Sequence, residues 1–170
     1  LTEAINYTTK EFIEKILPYT VRDTAVQRES VWDALKKAGY VSSVIVGSGK
    51  FTPIHICDLK ALLEIAIKIR DIKFIERLEK FIDEGYLYAH LDGGNRCDTF
   101  IDFYDGIIKC EAADYNFLPI YGEDENGDDV MIEDSYAENV KEPMTYSELK
   151  AKHPKIIEKM ENMPLFVFVY

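Results

Sequence analysis

The order of patterns in this chain predicts an α+β domain, with a small mixed sheet and flanking helices. Helical periodicities and short apolar, strand-like runs both occur, but they do not alternate in the regular β-α order of a doubly wound fold. A long helical stretch, 58–84, separates two strand-like runs, and the turn signal Asn126-Gly127 interrupts a strongly acidic segment. With 170 residues, 47% of them hydrophobic, the chain has material for one core without disulfide or metal staples.

Thr8 opens the first helix. It stands three residues before Glu11, the spacing of a capping box, ahead of Phe12, Ile13, Ile16 and Leu17, and Pro18 closes the helix. Tyr19 to Val26 reads as a strand with interleaved polar residues. Ser30 to Ala38 reads as a second helix that ends at Gly39. Val41 to Val46 fits helix or strand, Gly47-Ser48-Gly49 is a turn, and Pro53 to Cys57 is a short buried strand. Asp58 caps the stretch Leu59 to Glu84, which Gly85 stops. Its apolar residues recur at helical spacing, in one helix or in two broken near Asp71. Tyr86 to Leu91 reads as a strand, Asp92 to Asn95 as a tight turn, and Thr99 to Tyr104 as the helix that follows. Phe117 to Tyr121 and Val130 to Ile132 flank Asn126-Gly127 as a hairpin. Thr145 and Glu148 repeat the capping-box spacing at the head of a helix running to about Asn162. Pro164 to Tyr170 reads as a last strand buried on both faces.

The net charge of −11 is local. Residues 111–148 hold twelve Asp or Glu against one base, Lys141, and the 19 acids elsewhere match 19 bases. A uniformly acidic surface would repel nucleic acid and nucleotides; this distribution leaves the rest of the chain able to host an anion. The acidic segment reads either as a solvated hairpin and loop or as a flap that competes with a polyanion for a basic groove. Three cysteines without a C-x-x-C exclude a disulfide scaffold and a zinc ribbon. No apolar run approaches the ~20 residues of a membrane span. With no charged-and-apolar leader pattern, a cytoplasmic location is the default. A start at Leu1 and an end at Tyr170 inside an apolar run read as the N-terminal part of a longer protein.

The chemistry concentrates in Ala89 to Phe100, where a strand enters, two glycines turn and a helix leaves. Consecutive glycines let backbone approach a ligand and allow positive φ. The first turn of the next helix presents free N–H groups to an anion, and Arg96 at that start is suited to grip phosphate bidentately. Asp92 either holds a metal or water or orients Arg96. The competing interpretation is a plain strand-turn-helix with Arg96 paired to Asp92 or Asp98. Elsewhere, His55 and Cys57 alternate onto one strand face but lack two further metal ligands. His90 either faces the pocket or packs, His153 reads as exposed within a helix, and Cys97 is a weak nucleophile candidate. Lys73, Arg77 and Lys80 form a basic stripe, read as a solvated face or a nucleic-acid backbone contact. Trp32 either anchors the core or stacks on a base.

The residues Asp92-Gly93-Gly94-Asn95-Arg96-Cys97-Asp98-Thr99 resemble the Asp-Gly-Gln-Gln-Arg-Leu-Thr-Thr turn of the N-terminal domain of GmrSD-type restriction endonucleases, in the ParB/sulfiredoxin-like superfamily. Gln27-Arg28 followed by Trp32 is similar to that family's early Gln-Arg and Trp. Ser42 to Gly47 and then Pro53-Ile54 are similar to its Ser-Ile-Leu-x-Gly helix end and Pro-Pro-Ile strand. The resemblance covers about residues 19–107 and 145–170. Gly94 and Asn95 replace the two glutamines, and the 58–84 helical insertion and the 111–144 acidic hairpin depart from the pattern.

The resemblance implies a single ParB-like domain of a DNA-transacting phage or anti-phage restriction protein that binds nucleoside triphosphate with Mg²⁺. Asp92, Gly93, Gly94, Asn95, Arg96 and Thr99 would lie at the phosphates, with Arg28 reaching the same pocket. Asp92 and Arg96 would serve a nucleoside triphosphatase, Asp92 carrying the metal. Sulfiredoxin chemistry is not expected, because the Gly93-to-Arg96 turn holds no cysteine, and the family's separate nuclease domain is absent from this chain. Two readings of other classes stand beside it: a protein-interaction module whose acidic segment contacts a basic protein partner or mimics nucleic-acid charge, and a DNA-binding domain that binds or nicks nucleic acid directly. None of them calls for a membrane.

Overall fold

The six residues that end at the first capping threonine already form a strand. The structure, a computed structural model, describes residues 2–23, 31–46 and 53–170. β1 (Glu3–Thr8) pairs antiparallel with the last strand, β9 (Pro164–Val169), from Glu3 opposite Val169 to Thr8 opposite Pro164. Thr8 then caps the helix: its side chain accepts from Glu11 N, and the Glu11 carboxylate accepts from Thr8 N at 3.0 Å. The α-helical turn α1 (Thr9–Glu11) widens into a π-helical stretch, Phe12–Ile16, and tightens to 3₁₀ over Leu17–Tyr19, where Pro18 sits. The strand expected over Tyr19 to Val26 is confined among the described residues to β2 (Thr20–Val21).

The helix expected to end at Gly39 runs through it as α2 (Ala34–Val46). Its start also moves, from Ser30 to Asp33, whose Oδ1 accepts from Lys36 N at 2.8 Å. Interior glycine costs a helix ~1 kcal/mol, and burial of Val41, Val44 and Ile45 outweighs that. The same burial settles Val41 to Val46 as helix. The expected Gly47-Ser48-Gly49 turn lies outside the described residues.

β3 (Ile54–Asp58) leads straight into α3 (Leu59–Ile69), capped by Asp58 at Ala61 N. Arg70 turns left-handed at φ 58°, and Asp71 caps α4 (Ile72–Asp83) at Phe74 N, so the long stretch is two helices. They pack on each other and cover one sheet face through Val21, Leu59, Ala66, Leu78 and Ala89. β4 (Tyr88–Asp92) follows, pairing antiparallel with β3 and parallel with β2, and α5 (Gly94–Tyr104) leaves it. The sheet order is β1-β9-β3-β4-β2, mixed in direction.

The acidic segment is a two-tier antiparallel arm. β5 (Ala113–Phe117) pairs with β8 (Tyr136–Val140), and nested between them β6 (Ile120–Glu123) pairs with β7 (Asp129–Glu133). At its tip the Asp124 carboxylate accepts from Asn126 N and Asp128 N at 2.8 and 2.9 Å. The expected helix to Asn162 is two, α6 (Tyr146–Lys152) and α7 (Pro154–Glu161), because Pro154 starts a new helix and cannot continue the old one. His153 therefore sits at the break, not on an exposed face, and its ring lies against the Glu138 carboxylate. A Lys159–Glu133 ion pair further ties the arm to α7.

β9 is not buried on both faces. Leu165 and Val167 enter the main core, while Phe166 is 48% exposed. Helices cover one face of the sheet along its length, whereas the α3–α4 pair covers the other face at the β2–β4 end. No helix among the described residues is long and apolar enough to cross a membrane.

Candidate functional site at the Gly93 turn

The expected four-residue turn contracts to a single residue. Gly93 sits at φ 94°, ψ 13°, and α5 begins at Gly94. Left-handed backbone lets the chain reverse from strand to helix in one step, at a cost glycine escapes. Gly93 has no side chain with which to cap the helix, and Cys97 N donates to Gly93 O at 3.0 Å. The N–H groups of Gly94, Asn95 and Arg96 thus precede the first intrahelical bond and carry the positive end of the helix dipole.

Arg96 folds back over this turn. A Cβ added at Gly93 would lie 3.0 Å from Arg96 Nη2 and 3.4 Å from Ile54 Cγ1. Its guanidinium donates to Pro53 O at 3.2 Å and stands 3.7 Å from the Asp92 carboxylate. The Arg96 side chain is 12% exposed and that of Asp92 69%. Asp92 also accepts from Gly93 N at 2.8 Å, so it marks the open mouth of the turn while Arg96 forms part of its floor. Asn95 Oδ1 accepts from Val31 N at 3.0 Å, docking the segment before α2 onto the first turn of α5. Thr99 lies a turn further in: it is fully buried, and its hydroxyl donates to Asn95 O at 2.7 Å. Arg28 lies outside the described residues.

Arg22 joins this group, and no local signal in the sequence pointed to it. The parallel pairing of β2 with β4, Val21 opposite Ala89, delivers Arg22 beside His90. Arg22 forms a close ion pair with Asp98 on α5, both side chains largely buried. His90 is 4% exposed, and its Nδ1 has no hydrogen-bond partner among the described residues. Burial, reinforced by the Arg22 charge, pushes its pKa down to about 4, so the imidazole is neutral at pH 7. The one signal for His90 was its place two residues before Asp92.

The other sequence candidates separate from this group. Cys97 is completely buried, and its thiol is pushed up to about 12 by burial, against the pull of Arg96 and Arg22. That removes it as a nucleophile. His55 stacks on Phe168 at 5.2 Å and bonds the Tyr170 hydroxyl at 3.0 Å. On the basic stripe, Arg77 pairs with Asp23 and Lys80 with Glu84. Among the described residues no three His, Cys, Asp or Glu side chains gather to hold a metal. A cavity of about 420 Å³ lies elsewhere, between α7 and the β5–β6 connection, with Phe117, Pro119 and Lys159 in its wall.

Arg96, three backbone donors and the exposed Asp92 carboxylate meet at the turn, and the neutral His90 and the Arg22–Asp98 ion pair lie on the elements that enter and leave it. Among the described residues this arrangement suits binding an anion and stabilising charge on it, and Cys97 is too deeply buried to act there as a nucleophile. No protein-family model, curated protein or solved structure matches the chain.

Proposed function

We propose that the Gly93 turn holds the phosphates of a nucleoside triphosphate, in a domain similar to the ParB/sulfiredoxin-like N-terminal domain of GmrSD-type proteins. The observation that carries this reading is the uncapped start of α5 at a left-handed Gly93, with Arg96 folded over it and the Arg22–Asp98 ion pair further along α5. Backbone N–H groups at a helix start favour anions, and guanidinium is the side chain suited to phosphate. Arg96 neutralises phosphate charge at the turn, while Arg22 stays paired with Asp98 on α5. Mg²⁺ binds through one or two carboxylates plus phosphate oxygens. The exposed Asp92 fits that need and would share the ion, whose charge would offset that of the phosphates. Hydrolysis at such a site would rest on positioning and charge stabilisation.

Calorimetric titration of ATP, GTP, CTP and UTP with Mg²⁺ tests the reading. At least one nucleotide binds the wild type, and Arg96→Ala abolishes that binding. Binding unchanged by Arg96→Ala, or no binding at all, overturns it.

One observation favours a second reading, a protein-interaction module. The β6–β7 hairpin joins an acidic tip to exposed Tyr121, Met131 and Ile132, an apolar and acidic surface suited to a basic partner. Replacing residues 120–133 by a short turn would abolish partner binding while leaving nucleotide binding intact.

A further inference from the structure

We propose that Trp32 is the platform on which the base of that nucleotide stacks, an assignment that rests on the phosphate reading of the Gly93 turn. A tryptophan in a chain of this size ordinarily anchors the core. Among the described residues, Trp32 belongs to neither buried cluster and is partly exposed.

Three contacts place it against the cradle. The Val31 N–H donates to Asn95 Oδ1 at 3.0 Å, so the residue just before Trp32 is bound to the first turn of α5. The Trp32 ring meets Tyr40 edge-on at 5.5 Å, and Tyr40 meets Phe100 of α5 edge-on at 5.8 Å. The Tyr40 phenol in turn lies within the field of Arg96. The indole is thereby held at a set angle to Tyr40, on the side of α2 that meets the first turns of α5. Lys36 Nζ stands 4.9 Å from the ring centroid, a cation over one indole face. Such a platform reads a π-face and not a hydrogen-bonding edge, so it accepts all four bases.

Trp32 is the one tryptophan of the chain, so fluorescence excited at the red edge of its absorption, where the 11 tyrosines do not absorb, reports on it alone. The experiment titrates ATP, GTP, CTP, UTP and inorganic tripolyphosphate, each with Mg²⁺, into the wild type, Trp32→Leu and Trp32→Phe. Fluorescence and calorimetry are read together, and thermal melting checks that each variant is folded. The expected result is a fluorescence change with nucleotide and none with tripolyphosphate. Trp32→Leu weakens nucleotide by about fivefold to tenfold and tripolyphosphate by less than about twofold, and Trp32→Phe restores most of the difference. Nucleotide saturation without a fluorescence change, or equal affinity for nucleotide and tripolyphosphate, overturns the platform while leaving the cradle standing. Failure of every probe to bind the wild type overturns the cradle first and the platform with it.

Discussion

Replacing Gly93 by alanine tests the geometry of the turn against a control inside the same molecule. Gly93 and Gly85 share a φ of 94°, but a Cβ at Gly85 meets nothing within 4 Å, whereas one at Gly93 lies 3.0 Å from Arg96 Nη2 and 3.3 Å from Cζ. Left-handed backbone costs a non-glycine residue ~1–2 kcal/mol. The lower chain entropy of unfolded alanine returns ~0.4–1 kcal/mol. Gly85→Ala should therefore destabilise by about 1 kcal/mol. Gly93→Ala carries the same strain and must also displace the guanidinium from Pro53 O, which it meets at 3.2 Å. A hydrogen bond from a charged donor is worth ~1.5–3 kcal/mol, so the total reaches about 2–4 kcal/mol. Urea unfolding followed by circular dichroism gives both values, provided the m-values agree. If the two variants differ by less than ~0.5 kcal/mol, Arg96 does not depend on the bare Gly93 backbone and the reasoning fails.

The Arg22–Asp98 pair, largely buried, should lose about 2–3 kcal/mol when Arg22→Met strands the carboxylate. The double variant Arg22→Met/Asp98→Asn should be clearly more stable than the sum of the single losses, which a double-mutant cycle by urea unfolding measures. His90 has its pKa depressed from 6.5 to about 4, so the unfolded state binds more protons between those values and stability falls as pH drops through that window. The loss attributable to His90 approaches ~3 kcal/mol and levels off below it, and a His90→Leu variant lacks that component across an unfolding series from pH 7 to 4. Cys57, Cys97 and Cys110 are all buried, and burial raises each thiol. Ellman's reagent should leave the native protein essentially unlabelled over minutes and titrate three thiols in denaturant; rapid native labelling of Cys97 would contradict its burial.

Local signals in the sequence located the elements whose causes span a few residues. The Thr8–Glu11 and Thr145–Glu148 capping boxes, the Asp58 cap and the Asn126-Gly127 tip all form as their spacing predicts, because each is closed by bonds between near neighbours. The α+β class and the helical stretch inserted between β3 and β4 were legible for the same reason, and the pattern left its division into two helices open. The Asp92-to-Arg96 turn was legible as a strand-to-helix reversal, although its reduction to one residue was not.

Burial and register were not written locally. Gly39 carries a stop signal that helix packing overrides, and Phe166 belongs to an apolar run yet faces outward because no helix covers its part of the sheet. β5 and β8 lack a turn signal of their own, since the nested hairpin sets their pairing. The candidate site shows the division most clearly. Gly93 and Arg96 are neighbours in the chain, and their chemistry could be inferred from spacing. Arg22 reaches Asp98 across 76 positions, and Val31 reaches Asn95 across 64. Those meetings exist because β2 aligns parallel to β4 and α2 packs on α5. Closing such loops is repaid only when the whole sheet and its covering helices form together, so no short stretch of sequence encodes them.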